Sequence, residues 1–333
     1  MSDAEQRGSG RSAPRPPSPR ISVKEIARAA REIAPVFLHS PQVLSEPLSR
    51  ATGARVVLKD ETENPIRSFK GRGAGFFIDD LRDPPPRVVC ASAGNFGQGL
   101  AYAAVRRGIH CDVFAATTAN PLKIDRIRSL GAVVHLAGAD FDAAKDAARE
   151  HATILGAPFV EDGREVRISE GAGSIGVELS GWPDPLDVVV VPLGNGALLA
   201  GVATWIKHGS PLTRVVGACA ALAPAMEQSW RARRLITTAS ASTIADGIAV
   251  RIPIQETLDD LAHVVDEIVL VTDTDILRAM HFMHAEHQQL LEPAGAVGVA
   301  ALLASGNGHA GATVATVLCG ANVTPEQRQR WFR

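Results

Sequence analysis

Few cysteines, almost no net charge and no long apolar run: each absence removes a class of protein. Four cysteines in 333 residues (Cys90, Cys111, Cys219, Cys319) show neither the C-x-x-C spacing of a zinc site nor the density of a disulfide scaffold. They read as reduced thiols of a cytosolic protein. A net charge of −2 argues against a nucleic-acid binder working through bulk positive charge. No apolar run reaches the roughly 18 residues that span a bilayer, and the first residues lack the apolar core of a signal peptide. The expectation is a soluble, cytoplasmic protein with neither membrane nor nucleic acid as partner.

What is present is material for a core. A hydrophobic content of 46% over 333 residues suffices for about two domains. Residues 1–20, MSDAEQRGSGRSAPRPPSPR, have almost nothing to bury and are expected to form a disordered tail. Ser22 stands where it can cap a helix whose apolar residues Val23, Ile26, Ala27 and Ala30 follow helical spacing. After Val56-Val57-Leu58, apolar β-branched runs alternate with helical patterns, at 87–90, 111–114, 132–135, 187–191, 215–217, 269–271 and 314–318. Strands separated by helical crossovers form right-handed βαβ units, so the spacing predicts an α/β protein of parallel-rich open sheets flanked by helices. No internal repeat is visible.

One stretch organises the rest, Asn64-Pro65-Ile66-Arg67-Ser68-Phe69-Lys70-Gly71-Arg72-Gly73-Ala74. Lys70 follows an aromatic residue and precedes glycines that let another group approach the backbone closely. On these residues alone two readings stand: a lysine available for imine chemistry, or a turn into a helix whose lysine faces water. Further on, Pro192-Leu193-Gly194-Asn195-Gly196-Ala197-Leu198 follows the strand 187–191 and opens a helix to about Lys207. A glycine turn there presents free backbone N–H groups and the positive end of a helix dipole, which suits a phosphate; a packing turn is the alternative. Ser92-Ala93-Gly94-Asn95-Phe96 repeats the arrangement after the strand 87–91. Gly171-Ala172-Gly173-Ser174-Ile175-Gly176 satisfies G-x-G-x-x-G, yet the preceding 164–170 are charged where a dinucleotide fingerprint needs a buried strand. His281, His284 and His287 drift round a helix, so a solvated face rather than a metal site is expected.

Ser68-Phe69-Lys70-Gly71-Arg72-Gly73-Ala74 resembles the Ser-Phe-Lys-x-Arg-Gly-Ala segment of the threonine/serine dehydratases, members of the fold-type II (tryptophan synthase β-like) family of pyridoxal 5'-phosphate (PLP) enzymes. The similarity recurs in order at Ser92–Asn95, Gly194–Ala197, Ala245-Asp246-Gly247, Glu292-Pro293-Ala294-Gly295-Ala296 and Cys319-Gly320-Ala321-Asn322. It implies a large PLP-binding domain, 21–85 and 171–333, interrupted by a small domain, 86–170, and a homodimer. It makes Lys70 the Schiff-base lysine and catalytic proton-transfer group, with Phe69 beside it, and makes Gly194, Asn195, Gly196, Ala197 and Leu198 the phosphate loop. The loop departs from the family's run of glycines at Asn195 and Ala197. Ser92, Ala93, Gly94, Asn95 and Phe96 become the holder of the substrate carboxylate, with Asn95 also on the cofactor's phenolic oxygen. Cys319 becomes the neutral partner of the ring nitrogen, which moderates the electron sink and suits β-elimination. Gly171–Ile175 matches a Gly-x-Gly-Thr-Ile helix start with a packing role.

Three departures bear on specificity. Phe96 stands where the family has His, and Arg67 where it has Gly, so Arg67 could contact an acidic or polar substrate side chain, face solvent, or pair with Glu61 or Glu63. Gly217-Ala218-Cys219-Ala220 lacks the Glu of the Gly-x-Glu-Pro stretch that binds a divalent cation in some relatives, so no metal dependence is expected. Only about a dozen residues follow Cys319, so the regulatory domain of some threonine dehydratases, and control by a branched-chain amino acid, are not expected.

The implied activity is that of an ammonia-lyase (dehydratase) acting on a small-molecule amino acid of the serine or threonine type. The freed Lys70 takes the α-proton, the β-hydroxyl leaves, and hydrolysis yields a 2-oxo acid and ammonia. The alternatives are β-replacement or racemisation on the same fold and, from another class, a non-catalytic ligand-binding or dinucleotide-binding protein. Racemisation needs a second proton-transfer group opposite Lys70, where serine racemases of this family place a Ser before Gly-Asn. Ala93 has only a methyl group, so elimination is expected to dominate.

Overall fold

A β-branched run becomes a central strand only where both faces of its sheet are covered. The computed structural model describes residues 19–332, so nearly all of the tail expected at 1–20 lies outside the described residues. Six strands form one sheet in the order β1 (Gln42–Leu44), β2 (Arg55–Asp60), β9 (Thr313–Leu318), β6 (Val188–Pro192), β7 (Arg214–Ala220) and β8 (Glu267–Val271). A second sheet of three parallel strands is ordered β3 (Arg87–Ala91), β4 (His110–Ala115), β5 (Val133–Leu136). Each apolar run read as a strand is one. β6 and β9, in the middle of the larger sheet, are buried at every residue, whereas β8 at its edge is buried only at Ile268 and Val271. Only β1 runs antiparallel, pairing Val43 with Leu58; three residues without a period gave no sign of it.

The two-residue period of a strand splits β2 between two cores. Val56 and Leu58 join Val190, Val216, Val314, Met280 and Val297 on one face of the sheet. Val57 joins Val189, Val191, Val317, Ile175 and Leu198 on the other. Each of these side chains contributes about 1.5–3 kcal/mol on full burial.

Helices α1 (Val23–Glu32), α2 (Glu46–Thr52), α3 (Lys70–Asp79), α7 (Val166–Leu179), α8 (Ala197–Gly209), α9 (Ala225–Ala232), α10 (Gln255–Leu261), α11 (Asp273–His287), α12 (Pro293–Ala304) and α13 (Pro325–Trp331) accompany the larger sheet. Helices α4 (Asn95–Arg106), α5 (Pro121–Ser129) and α6 (Phe141–Leu155) accompany the smaller one, α4 packing Leu100 on Val88 and Val113, α6 packing Ala148 and Ala152 on Val89 and Phe114. Ser22 caps α1 as expected, its hydroxyl accepting from the Glu25 N–H. No helix among the described residues is long and apolar enough to cross a membrane.

Gly171–Gly176 corrects one expectation. The segment lies inside α7 rather than at a helix start, and its glycines are where neighbouring backbones come close. A Cβ added at Gly171 would lie 2.7 Å from the Arg72 carbonyl, and one at Gly173 would lie 3.0 Å from that of Gly201. Side chains there would push α7 off α3 and α8.

Candidate active site

Four loops leave the carboxyl ends of parallel strands: 61–69 after β2, 92–94 after β3, 193–196 after β6 and 319–324 after β9. That is the end at which open α/β sheets bind ligands. The first and last of these loops are tied together. Ser68 forms an antiparallel bridge with Gly320, the Phe69 N–H donates to the Cys319 carbonyl at 3.1 Å, and the Ala321 N–H donates to that of Arg67 at 3.0 Å. Asn64 Nδ2 braces the loop from inside by donating to the carbonyls of Glu61 (2.8 Å) and Ser68 (3.1 Å). Arg67 has a left-handed φ of 52°, a conformation that glycine adopts without strain. Its side chain is exposed, with Nε donating to the Ala321 carbonyl at 3.3 Å, while Glu61 is taken by Arg72.

Lys70 is the first residue of α3, a helix without a side-chain cap. Its side chain is only 14% exposed, and Nζ donates to Asp162 Oδ2 at 2.5 Å. Nζ also stands 4.6 Å from the Phe69 ring centroid and 5.9 Å from that of Phe96, within the range of cation–π attraction. A Cβ added at Gly99 would lie 3.0 Å from the Lys70 carbonyl, so the missing side chain brings α4 against this backbone.

The loop Gly194–Leu198 places α8 with Gly196 at φ 96° and no side-chain cap, leaving first-turn N–H groups for a ligand. A Cβ on Gly196 would collide with Thr257, whose hydroxyl donates to the Gly163 carbonyl at 2.7 Å. One on Gly163 would lie 2.8 Å from the Asn195 carbonyl, so the Asp162-Gly163 turn presses directly on this loop. Gly194 in turn rests on the Ala245-Asp246-Gly247 segment, where its Cβ would lie 3.3 Å from the Gly247 carbonyl.

In the loop after β3, Ser92 Oγ accepts from the Gly94 N–H at 3.2 Å, and α4 starts at Asn95 without a side-chain cap. Asn95 Nδ2 donates to Glu292 Oε1 at 2.5 Å, and its Oδ1 accepts from Asn322 Nδ2 at 2.7 Å. The Asn322 N–H donates to Glu292 Oε2 at 3.1 Å. Phe96 turns its ring into the core of the smaller sheet, so its side chain supports the loop from behind. Ala93 is half-buried. Burial, reinforced by the charge of Asp246, pushes the Glu292 carboxyl up to about 7. Burial also raises the Cys319 thiol well above its usual range, which keeps it neutral.

Behind Lys70, Arg72 is fully buried and held by two carboxylates. Nε and NH2 donate to Glu61 at 2.8 and 2.7 Å, and NH1 and NH2 to Glu178 at 2.7 and 2.9 Å. Lys59 completes the cluster from β2 by pairing with Glu178. Two residues that the sequence reading passed over therefore stand at the site, Asp162 and Glu292. Glu292 lay in a matched motif without a role; Asp162 carried no local signal. The α11 histidines do not converge: His281 Nε2 contacts the Trp331 carbonyl at 2.5 Å, His287 Nε2 pairs with the Ser45 hydroxyl at 2.8 Å, and His284 is exposed. Elsewhere the donor atoms of Asp112, His135 and His151 lie within 4.8 Å of one another. Arg87 donates to Asp112 Oδ2 at 2.5 Å, and the Nε2 atoms of His135 and His151 lie 3.3 and 3.2 Å from the two Asp112 oxygens.

A phosphorylated pyridine aldehyde needs an amine, an anion cradle and a partner for its ring nitrogen, and these residues fit it. Lys70 has the amine, the start of α8 has free N–H groups, and Cys319 offers a neutral thiol. Ser68 Oγ and Asp162 Oδ1 are buried without partners among the described residues, as expected of atoms that a ligand completes. Fold and site together define a fold-type II PLP enzyme. The family model described as "Pyridoxal-phosphate dependent enzyme" matches residues 33–320, and the chain belongs to that family. It is 37% identical over 305 residues to the L-threonine ammonia-lyase of Thermotoga maritima, covering 91% of this chain and 76% of the relative. Threonine deaminase isoform 2 of Solanum lycopersicum superposes with a TM-score of 0.86 at 29% identity over 92% of each chain. Maize serine racemase does so at 0.87 and 27% over 93% of this chain and 96% of its own. The chain is thus a PLP-dependent lyase by its family and relatives.

Proposed function

We propose that this enzyme removes ammonia from a 3-hydroxy amino acid of the serine or threonine type, yielding a 2-oxo acid. The observation that supports this most is the covered Lys70 amine, set between two phenyl rings and a carboxylate and next to Cys319. The relatives named as threonine ammonia-lyase and threonine deaminase agree with it.

Pyridoxal phosphate supplies an electron sink for charge that develops at the substrate α-carbon. The protein's own residues divide the remaining work. Lys70 Nζ would hold the cofactor and, once freed, would carry the α-proton. Backbone N–H groups of Gly194, Asn195, Gly196, Ala197 and Leu198 would hold its phosphate at the positive end of α8. Cys319 would offer the ring nitrogen an un-ionised thiol, Phe69 covers the lysine, and Asn95, steadied by Glu292 and Asn322, would serve the phenolic oxygen. Ser92, Ala93, Gly94, Asn95 and Phe96 hold the substrate carboxylate at the start of α4.

The reading includes a large domain, 21–85 and 171–333, a small domain, 86–170, between whose sheets the substrate lies, and a cytoplasmic homodimer. Four free, buried cysteines are in keeping with a reducing compartment.

Two measurements test the proposal. Purified protein with PLP is assayed against a panel of 3-hydroxy amino acids for release of 2-oxo acid; activity on none of them sinks the substrate class. Borohydride reduction and peptide mapping should place the pyridoxyl group on Lys70. Finding it on Lys59, Lys123 or Lys207, which pair with Glu178, Asp246 and Asp266, would overturn the site.

A further inference from the structure

We propose that Asp162 is a positioning residue for Lys70: its carboxylate orients the lysine amine and stabilises the ammonium that forms when the lysine takes up a proton. The proposal rests on the reading of Lys70 as the cofactor lysine. The contact is short, 2.5 Å, and screened from water, with the two side chains 14% and 10% exposed. A carboxylate at such a distance holds the amine by a charge-assisted hydrogen bond and fixes its direction. Lys70 must cycle between free amine and ammonium to move the α-proton, so this carboxylate bears on both halves of the cycle.

The buried Arg72 cluster of the same protein gives a comparison. In the Arg72 cluster every carboxylate oxygen is satisfied: Glu61 by Arg72 and Ser40, Glu178 by Arg72, Lys59 and the His39 N–H. Asp162 instead leaves Oδ1 buried and without a partner among the described residues. A buried acceptor without a donor is unfavourable, and a ligand that supplies the donor removes that cost. The backbone of Asp162 is also fixed relative to the phosphate loop, because Gly163 presses on Asn195 and accepts from Thr257.

Other titratable groups do not compete for the role. Cys319 is kept neutral by burial, Glu161 turns away to Lys145, Arg149 and Arg164, Glu61 is held by Arg72, and Glu292 is engaged by Asn95 and Asn322.

The test follows cofactor capture by the cofactor-free full-length protein, read as the visible absorbance that PLP gains on bonding to an amine, across a range of pH. Capture needs the unprotonated amine. In Asp162→Asn capture should therefore be several-fold faster than in the wild type at a pH where the wild type is slow, while Asp162→Glu should stay near the wild-type profile. Loss of a merely structural contact would lower the urea midpoint and leave the pH dependence where it was; that result overturns the proposal. Should the Asn variant not fold, Asp162→Ser removes the same charge. Lys70→Ala separates the two levels of the reading. If it captures PLP like the wild type, the assignment of Lys70 fails; if it captures none and Asp162→Asn keeps the wild-type profile, only the role of Asp162 fails.

Discussion

Replacing Arg72 by Met should destabilise the protein by about 3–5 kcal/mol, because it strips the counter-charge from the fully buried Glu61 and leaves Glu178 only Lys59. Arg72 and Glu61 are fully buried and Glu178 is 10% exposed. The variant would keep most of the side-chain volume and lose every donor to Glu61 except the Ser40 hydroxyl. The pKa of Glu178 gives an independent measure. Burial alone would raise it, yet Arg72 first and Lys59 second bring it from 4.5 down to about 2. At about 1.4 kcal/mol per unit, that depression corresponds to about 3 kcal/mol of stability. Since the folded pKa is the lower one, this stability is present above the unfolded value of 4.5 and is lost as pH falls towards 2. Urea unfolding followed by far-ultraviolet circular dichroism checks both statements. With a slope of about 3 kcal/mol per molar, the midpoint should drop by about 1 M or more at pH 7 and by clearly less at pH 3. A loss below about 1 kcal/mol at pH 7, or an equal loss at both pH values, would refute the reasoning. Because Arg72 acts behind Lys70 and does not touch it, the variant should still capture PLP under conditions where it is folded.

Glu292→Gln should behave in the opposite sense. A carboxyl whose pKa is raised from 4.5 to about 7 costs nothing below 4.5, and its full penalty, about 3 kcal/mol, is present above 7. In the cofactor-free protein the variant should therefore gain stability relative to the wild type between pH 4 and pH 8; a urea-midpoint difference that does not change with pH would count against a strained charge at this position. Ala93→Ser tests whether the methyl group at this position withholds a second proton donor, since it supplies a hydroxyl there. Chiral analysis of leftover L-serine after partial turnover should show D-serine with the variant and almost none with the wild type; substantial D-serine from the wild type would sink the expectation that elimination dominates.

Much of this protein could be read from residues close together in the chain. The run Val188–Val191 had to be a buried strand because nothing in it tolerates water, and Ser22 had to cap a helix because the spacing that follows is helical. Lys70 stood out because aromatic and glycine neighbours are poor company for a solvated lysine. Local pattern also marked the glycine turn before α8, where a strand ends and a helix begins. It failed where the deciding partner is remote. β1 is three residues long and exists only because β2 lies beside it. The glycines of α7 mimic a nucleotide motif until α3 and α8 are seen packed on them. Asp162 is 92 residues from Lys70, and Glu292 is 197 from Asn95. No periodicity reports a contact over such separations. Whether a carboxylate is paired, left with a bare oxygen or pushed up to about 7 depends on burial and on which charges the fold brings near. The sequence determined the elements and singled out Lys70; only the tertiary structure decided which acids surround it, because charge and solvent exposure are properties of the packed whole.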